Sequence, residues 1–310
     1  MSAHFTHETK VIKITHREAS APATTHMLEL EISAVDCDPT TPINDENTPI
    51  QPLLKWPGGK RLLATQISTY LLPIEGDYYE PFLGGGAMFF HLRPSRASLS
   101  DSNEELINCY KVVRDNPEPL IEVLSRMENS EANYYKIRAA TEIDPVRRSA
   151  RFIYLTALSF NGIYRLNRKG QFNVPYGHKI TKSHFDSSKI RRASAALAVA
   201  DIRCEDFETA VDCARQGDTI YFDPPYTVAH GNNGFLKYNE QIFSWEDQQR
   251  LANVVRNLDS KGCRVIVSNA AHSSIADLYK GFHFHTVERR SLIAASSEHR
   301  KTISEYIIHN

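Results

Sequence analysis

The sequence predicts an α/β fold in which a mostly parallel sheet is interrupted by a basic helical insert, and three observations predict it. Short apolar strands at 78–82, 97–101, 202–204, 219–222, 264–267 and 303–308 are separated by stretches of helical spacing. Two of these strands run directly into conspicuous turns, one a triple glycine and the other an acid followed by two prolines. Between them, residues 104–195 carry helical patterns, few strand signals and a strong excess of cations.

Taken in order, residues 1–50 form an acidic extension that is expected to be partly ordered. They hold two alternating stretches, Val11-Ile12-Lys13-Ile14 and Met27-Leu28-Glu29-Leu30-Glu31-Ile32, then Pro39, Pro42 and Pro49. Eight acids against three bases make this arm a poor partner for a polyanion. A first catalytic segment, 51–103, follows. It contains a helix predicted over 60–72 and stopped by Pro73, the strand 78–82, a short helix over 87–91, and the strand 97–101 ending on Asp101. Helical spacing returns at 103–113 and recurs at 120–127, 134–140 and 150–159 within the insert, 104–195. The remaining segment, 196–310, resumes the sheet.

Bulk properties narrow the function classes. The 310 residues carry a formal net charge of -1, yet from Arg147 to Arg192 eleven cations face a single anion, Asp186. A polyanion-binding surface is expected there. No apolar run approaches the roughly 18 residues that span a bilayer, and the polar start lacks a secretory signal, so no membrane association and a cytoplasmic location are expected. Five cysteines, odd in number and without CxxC spacing, read as buried free thiols rather than a disulfide or zinc framework. His283 and His285 share a strand face, but no third ligand stands at metal spacing, and no metal is expected. Arg289-Arg290 and Arg300-Lys301 flank a Ser-rich loop, 291–297, that reads equally as a phosphate contact or a solvated surface.

The chemistry is carried by three short motifs. Asp223-Pro224-Pro225-Tyr226 follows an apolar strand, so it sits at a carboxyl strand end, where open α/β sheets place their ligands. An exocyclic amine is a poor nucleophile because its lone pair is delocalised into the ring. The Asp223 carboxylate and the Pro224 carbonyl can accept its two hydrogens, the prolines Pro224 and Pro225 stiffen the turn, and Tyr226 offers a ring on which an extruded base can stack. The bland alternative is a strand-terminating turn. Glu80-Pro81-Phe82-Leu83-Gly84-Gly85-Gly86 joins a strand to a helix through glycines that let backbone approach a cofactor. Gly84 and Gly86 fit a dinucleotide fingerprint, but Phe89 stands where a pyrophosphate site needs glycine, so an adenosine cofactor without pyrophosphate fits better. Asp101 can accept from ribose hydroxyls, or merely cap the next helix. Leu54-Lys55-Trp56-Pro57-Gly58-Gly59-Lys60 sets a tryptophan and two lysines around a rigid turn, which a turn anchored by a core tryptophan would also explain.

With these elements in this order, residues 53–310 resemble the Dam-type (D12 class) adenine-N6-specific DNA methyltransferases. The resemblance implies a class I S-adenosylmethionine-dependent methyltransferase fold, Rossmann-like, with a helical target-recognition insert. It implies S-adenosyl-L-methionine as cofactor, held by Trp56, Lys60, Glu80, Phe82, Gly84, Gly86, Asp101 and Asp223, with Asp223, Pro224, Pro225 and Tyr226 catalytic. Lys55 matches a lysine near the first base pair of the target. Residues 160–167 and 172–177 look like the family's DNA-reading hairpin, which makes Phe160, Asn161, Ile163, Arg165, Asn167 and Pro175 the DNA-binding set. Arg165 is the leading guanine reader, with a phosphate contact as the alternative. Phe160 stands where the family usually has tyrosine, and His178 where a basic residue often follows.

The implied partner is double-stranded DNA, probed by a monomer in solution with more than one copy able to sit on one duplex. The implied reaction flips an adenine, with GATC as the expected target, in the service of restriction-modification or of DNA replication or repair. Three rivals stay open on the sequence alone: methylation of RNA adenine or cytosine N4, a catalytically silent DNA-binding regulator, and, disfavoured by Phe89, a nicotinamide-dependent enzyme.

Overall fold

The computed structural model describes residues 50–167, 169–178, 184–227, 243–290 and 302–310. The arm 1–49 and the loop 291–301 fall outside these residues, and with them the arm's two alternating stretches, Cys37 and Arg300-Lys301. The cations Arg168, Lys179 and Lys182 do so too.

Strands β1 (Tyr78–Glu80), β2 (Ala97–Asp101), β3 (Ala200–Cys204), β4 (Thr219–Phe222), β5 (Arg264–Ala270), β6 (His283–Arg290) and β7 (Thr302–His309) form one seven-stranded sheet in the order β3-β2-β1-β4-β5-β7-β6. The first five are parallel, while β7 inserts antiparallel between β5 and β6. This is the expected mostly parallel α/β sheet. Its strand order reverses between β1 and β4, and at such a switch point the loops leaving the two carboxyl ends diverge and open a crevice.

Nine α-helices are present among the described residues: α1 (Ala64–Leu71), α2 (Ala87–Leu92), α3 (Glu104–Asp115), α4 (Pro117–Ser125), α5 (Glu131–Ala139), α6 (Pro145–Leu158), α7 (Ser187–Leu197), α8 (Trp245–Ser260) and α9 (Ser273–Leu278). Their starts follow local chemistry. Asn103 accepts from the Leu106 amide to begin α3, Asp144 accepts from Arg147 ahead of Pro145 to begin α6, and Ser244 with Asp247 closes a reciprocal capping box on α8. Asp186, the lone acid of the basic stretch, caps α7 by accepting from the Lys189 amide. The first helix begins at Ala64 rather than 60, because residues 56–63 form turns that carry Lys60 into the sheet's crevice.

Alternation along the strands sorts side chains onto two cores. Tyr78, Leu99, Ile202, Tyr221, Ile266 and Ile307 pack with α1, α2, α3, α4, α6 and α7 on one side, while Tyr79, Ile220, Phe222, Val265, Val267 and Ile308 pack with α8 and α9 on the other. A third, separate cluster joins Tyr134, Tyr154, Leu155, Leu158, Phe172, Val174 and Tyr176. It fixes the 160–177 loop onto α5 and α6, and each of these buried aromatic and aliphatic side chains contributes roughly 1.5–3 kcal/mol to that attachment.

The expected burial of the cysteines needs correction. Cys109 and Cys263 are buried, but Cys204 closes the edge strand β3 and Cys213 lies in a surface turn, and both are exposed. The basic stretch is also less free than its count implies. Arg148 pairs with Glu104 and Glu105, and Arg191 with Glu118, so acids just upstream neutralise part of it.

Candidate active site

The Asp223 turn and the glycine loop are brought together. Tyr78 pairs with Thr219 and Tyr79 with Ile220, so the chain leaving β1 runs beside the chain leaving β4. Lys60 ties the preceding 56–60 turn to the second of these: its ammonium donates to Asp223 Oδ1 at 2.6 Å and to the Gly58 carbonyl at 3.1 Å. The Lys60 side chain is 3% exposed and that of Asp223 19%, so the pair is shielded but reachable from one side. An ammonium this close complements a carboxylate, the form of Asp223 that can accept hydrogens from an amine.

The turn itself is clamped from behind. Gln248 on α8 donates to the Pro225 carbonyl at 3.3 Å and to Thr227 Oγ1 at 3.2 Å, and Asn269 at the end of β5 donates to Gln248 at 3.0 Å. Among the described residues none donates to the Pro224 carbonyl, which stands beside Asp223. Tyr226 donates its hydroxyl to Glu305 at 2.9 Å, and the Lys60 ammonium lies 4.9 Å from its ring centroid. Gln248, Asn269 and Glu305 were not singled out from sequence. Glu305 carried a readable signal, since it shares strand alternation with the apolar Ile303 and Ile307 and so belongs to a buried face.

The glycine loop is held in a form other residues would not tolerate. Gly84 has φ of +47°, and a Cβ there would lie 2.8 Å from Trp56 Cδ1. The Gly84 amide donates to Asp101 at 3.0 Å, and Tyr110 donates to the Gly84 carbonyl at 3.1 Å. Asp101 also accepts from the Asn103 amide, and burial raises its pKa against these backbone bonds. It thus lies at the carboxyl end of β2, tied to the loop, while the capping of α3 is done by Asn103. Phe82 stacks on Phe207 at 5.4 Å and meets Phe243 edge-on at 5.4 Å. Cys204 pairs with Asp101 in register, so Phe207, three residues later, borders the same end of the sheet.

Glu80 faces inward. It is 3% exposed and accepts from the Tyr78 hydroxyl and the Phe89 amide, both at 2.9 Å, tying β1 to α2. Burial, with the nearby Asp223 charge acting the same way, pushes its pKa from 4.5 up to about 8. The native state therefore holds a proton that the unfolded chain releases near 4.5, and stability falls as pH rises through this window. Thermal denaturation should show a loss on the order of a few kcal/mol between about pH 5 and pH 8. Glu80→Gln should flatten it; an unchanged slope in the variant would assign the titration to another group.

On the insert side, Trp56 stacks on Tyr164 at 5.1 Å and packs near Phe152, joining the glycine loop to the 160–177 loop. The Lys55 stem crosses Gly162 so closely that a Cβ there would come 2.6 Å from Lys55 Cδ. Phe160 is 51% exposed, an unusual setting for a phenyl ring, and Asn161 beside it has φ of +54°. Arg165 is exposed, and its Nε donates to Asn173 Oδ1 at 2.8 Å. Ile163 and Tyr164 are partly buried. Asn167 accepts from the Lys169 and Gln171 amides and organises the loop tip, and the Pro175 carbonyl accepts from Phe160 N. A cavity of about 320 Å³ opens between residues 53–55, α6 and the start of α7, lined among others by Lys55, His184 and Lys189. His283 and His285 lie on the far edge of the sheet against His309 and Tyr70, and no cluster of three potential metal ligands exists among the described residues.

A glycine loop and an acidic turn at a sheet's switch point define an α/β methyltransferase, an enzyme rather than a silent scaffold. Residues 56–293 match the family model of D12 class N6 adenine-specific DNA methyltransferases, and the chain belongs to this family. It is 42% identical to the type II methyltransferase M1.LlaDCHI of Lactococcus lactis subsp. cremoris, covering 84% of this chain and 95% of the relative. It is 36% identical to the type II methyltransferase M.MjaIII of Methanocaldococcus jannaschii, covering 84% and 99%. Identity to the DNA adenine methylase of Escherichia coli K12 is 30%, covering 82% and 93%. No helix among the described residues is long and apolar enough to cross a membrane.

Proposed function

We propose that the chain methylates N6 of an adenine flipped out of duplex DNA, within GATC, with S-adenosylmethionine as donor. The observation that carries this reading is the placement of the Asp223 turn, held by Lys60, beside the chain that enters the glycine loop, where β1 and β4 pair at the switch point. The residues fit the donor: Gly84 lacks the Cβ that would fill the loop, Asp101 offers a carboxylate at the end of β2, and Phe82 with Phe207 forms an aromatic wall for a purine. Trp56 and Gly86 shape the loop around them, and Glu80 supports it from inside. When bound, S-adenosylmethionine supplies an electrophilic methyl carbon on a sulfonium.

Asp223 accepts one N6 hydrogen and the Pro224 carbonyl the other, which holds the nitrogen lone pair toward the methyl carbon. The Pro225 ring and the bond from Gln248 to the Pro225 carbonyl hold the turn in one geometry, so little reorganisation accompanies transfer. Tyr226 supplies the ring under the base, and Phe160 fills the gap left in the duplex. Lys55, Asn161, Ile163, Arg165, Asn167 and Pro175 form the reading side, with 104–195 acting as recognition module and 51–103 and 196–310 as catalytic segments. The GATC assignment is supported by the likeness of residues 160–177 to the family's reading hairpin.

Incubation with plasmid DNA and donor, followed by sequencing that detects modified bases, tests this directly. N6-methyladenine confined to GATC is the expected result. Methyl groups on cytosine N4, on RNA alone, or on adenine in another sequence would overturn the corresponding part.

A further inference from the structure

Glu305 is a buried carboxylate that the reaction as described does not use. It lies on β7, opposite Ala270 of β5 and Val287 of β6, and is 1% exposed. Strand alternation puts it on the Ile307 face of the sheet, where a charge is costly unless it is paired. Its Oε2 accepts the Tyr226 hydroxyl at 2.9 Å, and the same oxygen lies 3.9 Å from the Lys60 ammonium, which is itself 2.6 Å from Asp223. One cation therefore stands between two carboxylates, over the ring of Tyr226.

This arrangement has a consequence for an arriving amine. The Asp223 oxygen that Lys60 occupies is part of the carboxylate to which an N6 hydrogen must donate, and an ammonium held there alone would compete with it. A second carboxylate 3.9 Å away lets Lys60 shift by about an ångström without becoming a buried unpaired charge. We propose that Glu305 is a positioning residue for methyl transfer: it fixes the Tyr226 ring through its hydroxyl and shares Lys60 with Asp223, so that the ammonium yields the Asp223 carboxylate to the target amine. This rests on the adenine-methylation reading above. Titratable groups around Glu305 include Lys60, Tyr226 and Tyr221.

Two variants separate its two actions. Glu305→Gln keeps an acceptor for Tyr226 but removes the charge, so Lys60 bears on Asp223 alone. Steady-state assays on duplex DNA should show kcat lowered about tenfold with the KM for donor within about twofold. Tyr226→Phe keeps the charge and removes the hydroxyl. It should lower kcat, and should weaken the fluorescence rise of 2-aminopurine placed at the target adenine. Glu305→Asp, which restores the charge, should recover part of the kcat. A Glu305→Gln enzyme with wild-type kcat per folded molecule would overturn the proposal. So would a Tyr226→Phe enzyme with wild-type kcat and fluorescence, a test that stands if Glu305→Gln does not fold. Wild-type protein inactive on DNA adenine in the same assay would instead remove the underlying reading.

Discussion

Asp223→Ala is expected to lower single-turnover methyl transfer by about 10³-fold or more while leaving DNA affinity within a few-fold of wild type. The carboxylate is proposed to touch the reacting nitrogen, so the loss should fall on the chemical step. It contributes nothing to the reading side around Arg165, so binding to DNA should survive. The substitution also removes the Lys60 partner at 2.6 Å, and stranding a buried cation costs about 3–5 kcal/mol where no other anion is near. Here Glu305 stands 3.9 Å from the same ammonium and can take it over, so the variant should fold with only a modest drop in melting temperature. Asp223→Asn is the control. It preserves shape but replaces one acceptor oxygen with a donor, and should be as inactive as the alanine variant. Retained turnover in either would take Asp223 out of the mechanism.

What could be read beforehand was what is local in the chain. The Asp223 turn, the glycine loop and the acid ending β2 each occupy a few consecutive residues whose chemistry dictates the local backbone and its place at the sheet's carboxyl end. Elements fixed by distant partners were harder. Leu62 and Leu63 extend the helical spacing of 64–71, so 60–63 read as helix, yet Leu62 is 66% exposed and Lys60 is drawn out of any helix by its bond to Asp223. The insertion of β7 between β5 and β6 is a non-local pairing that alternation along one strand cannot specify. Helices α7 and α8 went unread, although Asp186 and the Ser244–Asp247 box are ordinary start signals. The charge count of 147–192 overstated the free cationic surface because the anions that neutralise Arg148 and Arg191 lie at 104, 105 and 118, outside the counted window.

The clamp on the Asp223 turn illustrates the same division. Pro224 and Pro225 announce stiffness by themselves, but the groups that aim the turn come from α8, β5 and β7. Gln248 is fully buried in a helix that otherwise reads as amphipathic, and its polar atoms are satisfied by Pro225, Thr227 and Asn269. A buried network satisfied in this way fixes one geometry, because any shift leaves a donor or acceptor unpaired at a cost of about 1–3 kcal/mol.

Arg165→Ala should relax discrimination at one guanine of the target by about 1–3 kcal/mol, roughly 5- to 150-fold, with a smaller effect on substrates already altered at that base pair. The side chain is exposed at the loop that Phe160 and Asn161 begin, and Asn173 takes its Nε at 2.8 Å. That bond occupies Nε and leaves the two terminal nitrogens to donate, a pair that can match guanine O6 and N7 in the major groove. Asn173→Ala should therefore shift specificity in the same direction but less, since the fork loses its aim and keeps its charge. Measuring kcat/KM on duplexes varied one base pair at a time separates this from a phosphate contact. A phosphate contact would weaken every duplex alike and lower the slope of log affinity against log salt by about one. Selective loss at a single base pair, with that slope unchanged, is the result that makes Arg165 a reader of sequence rather than of charge.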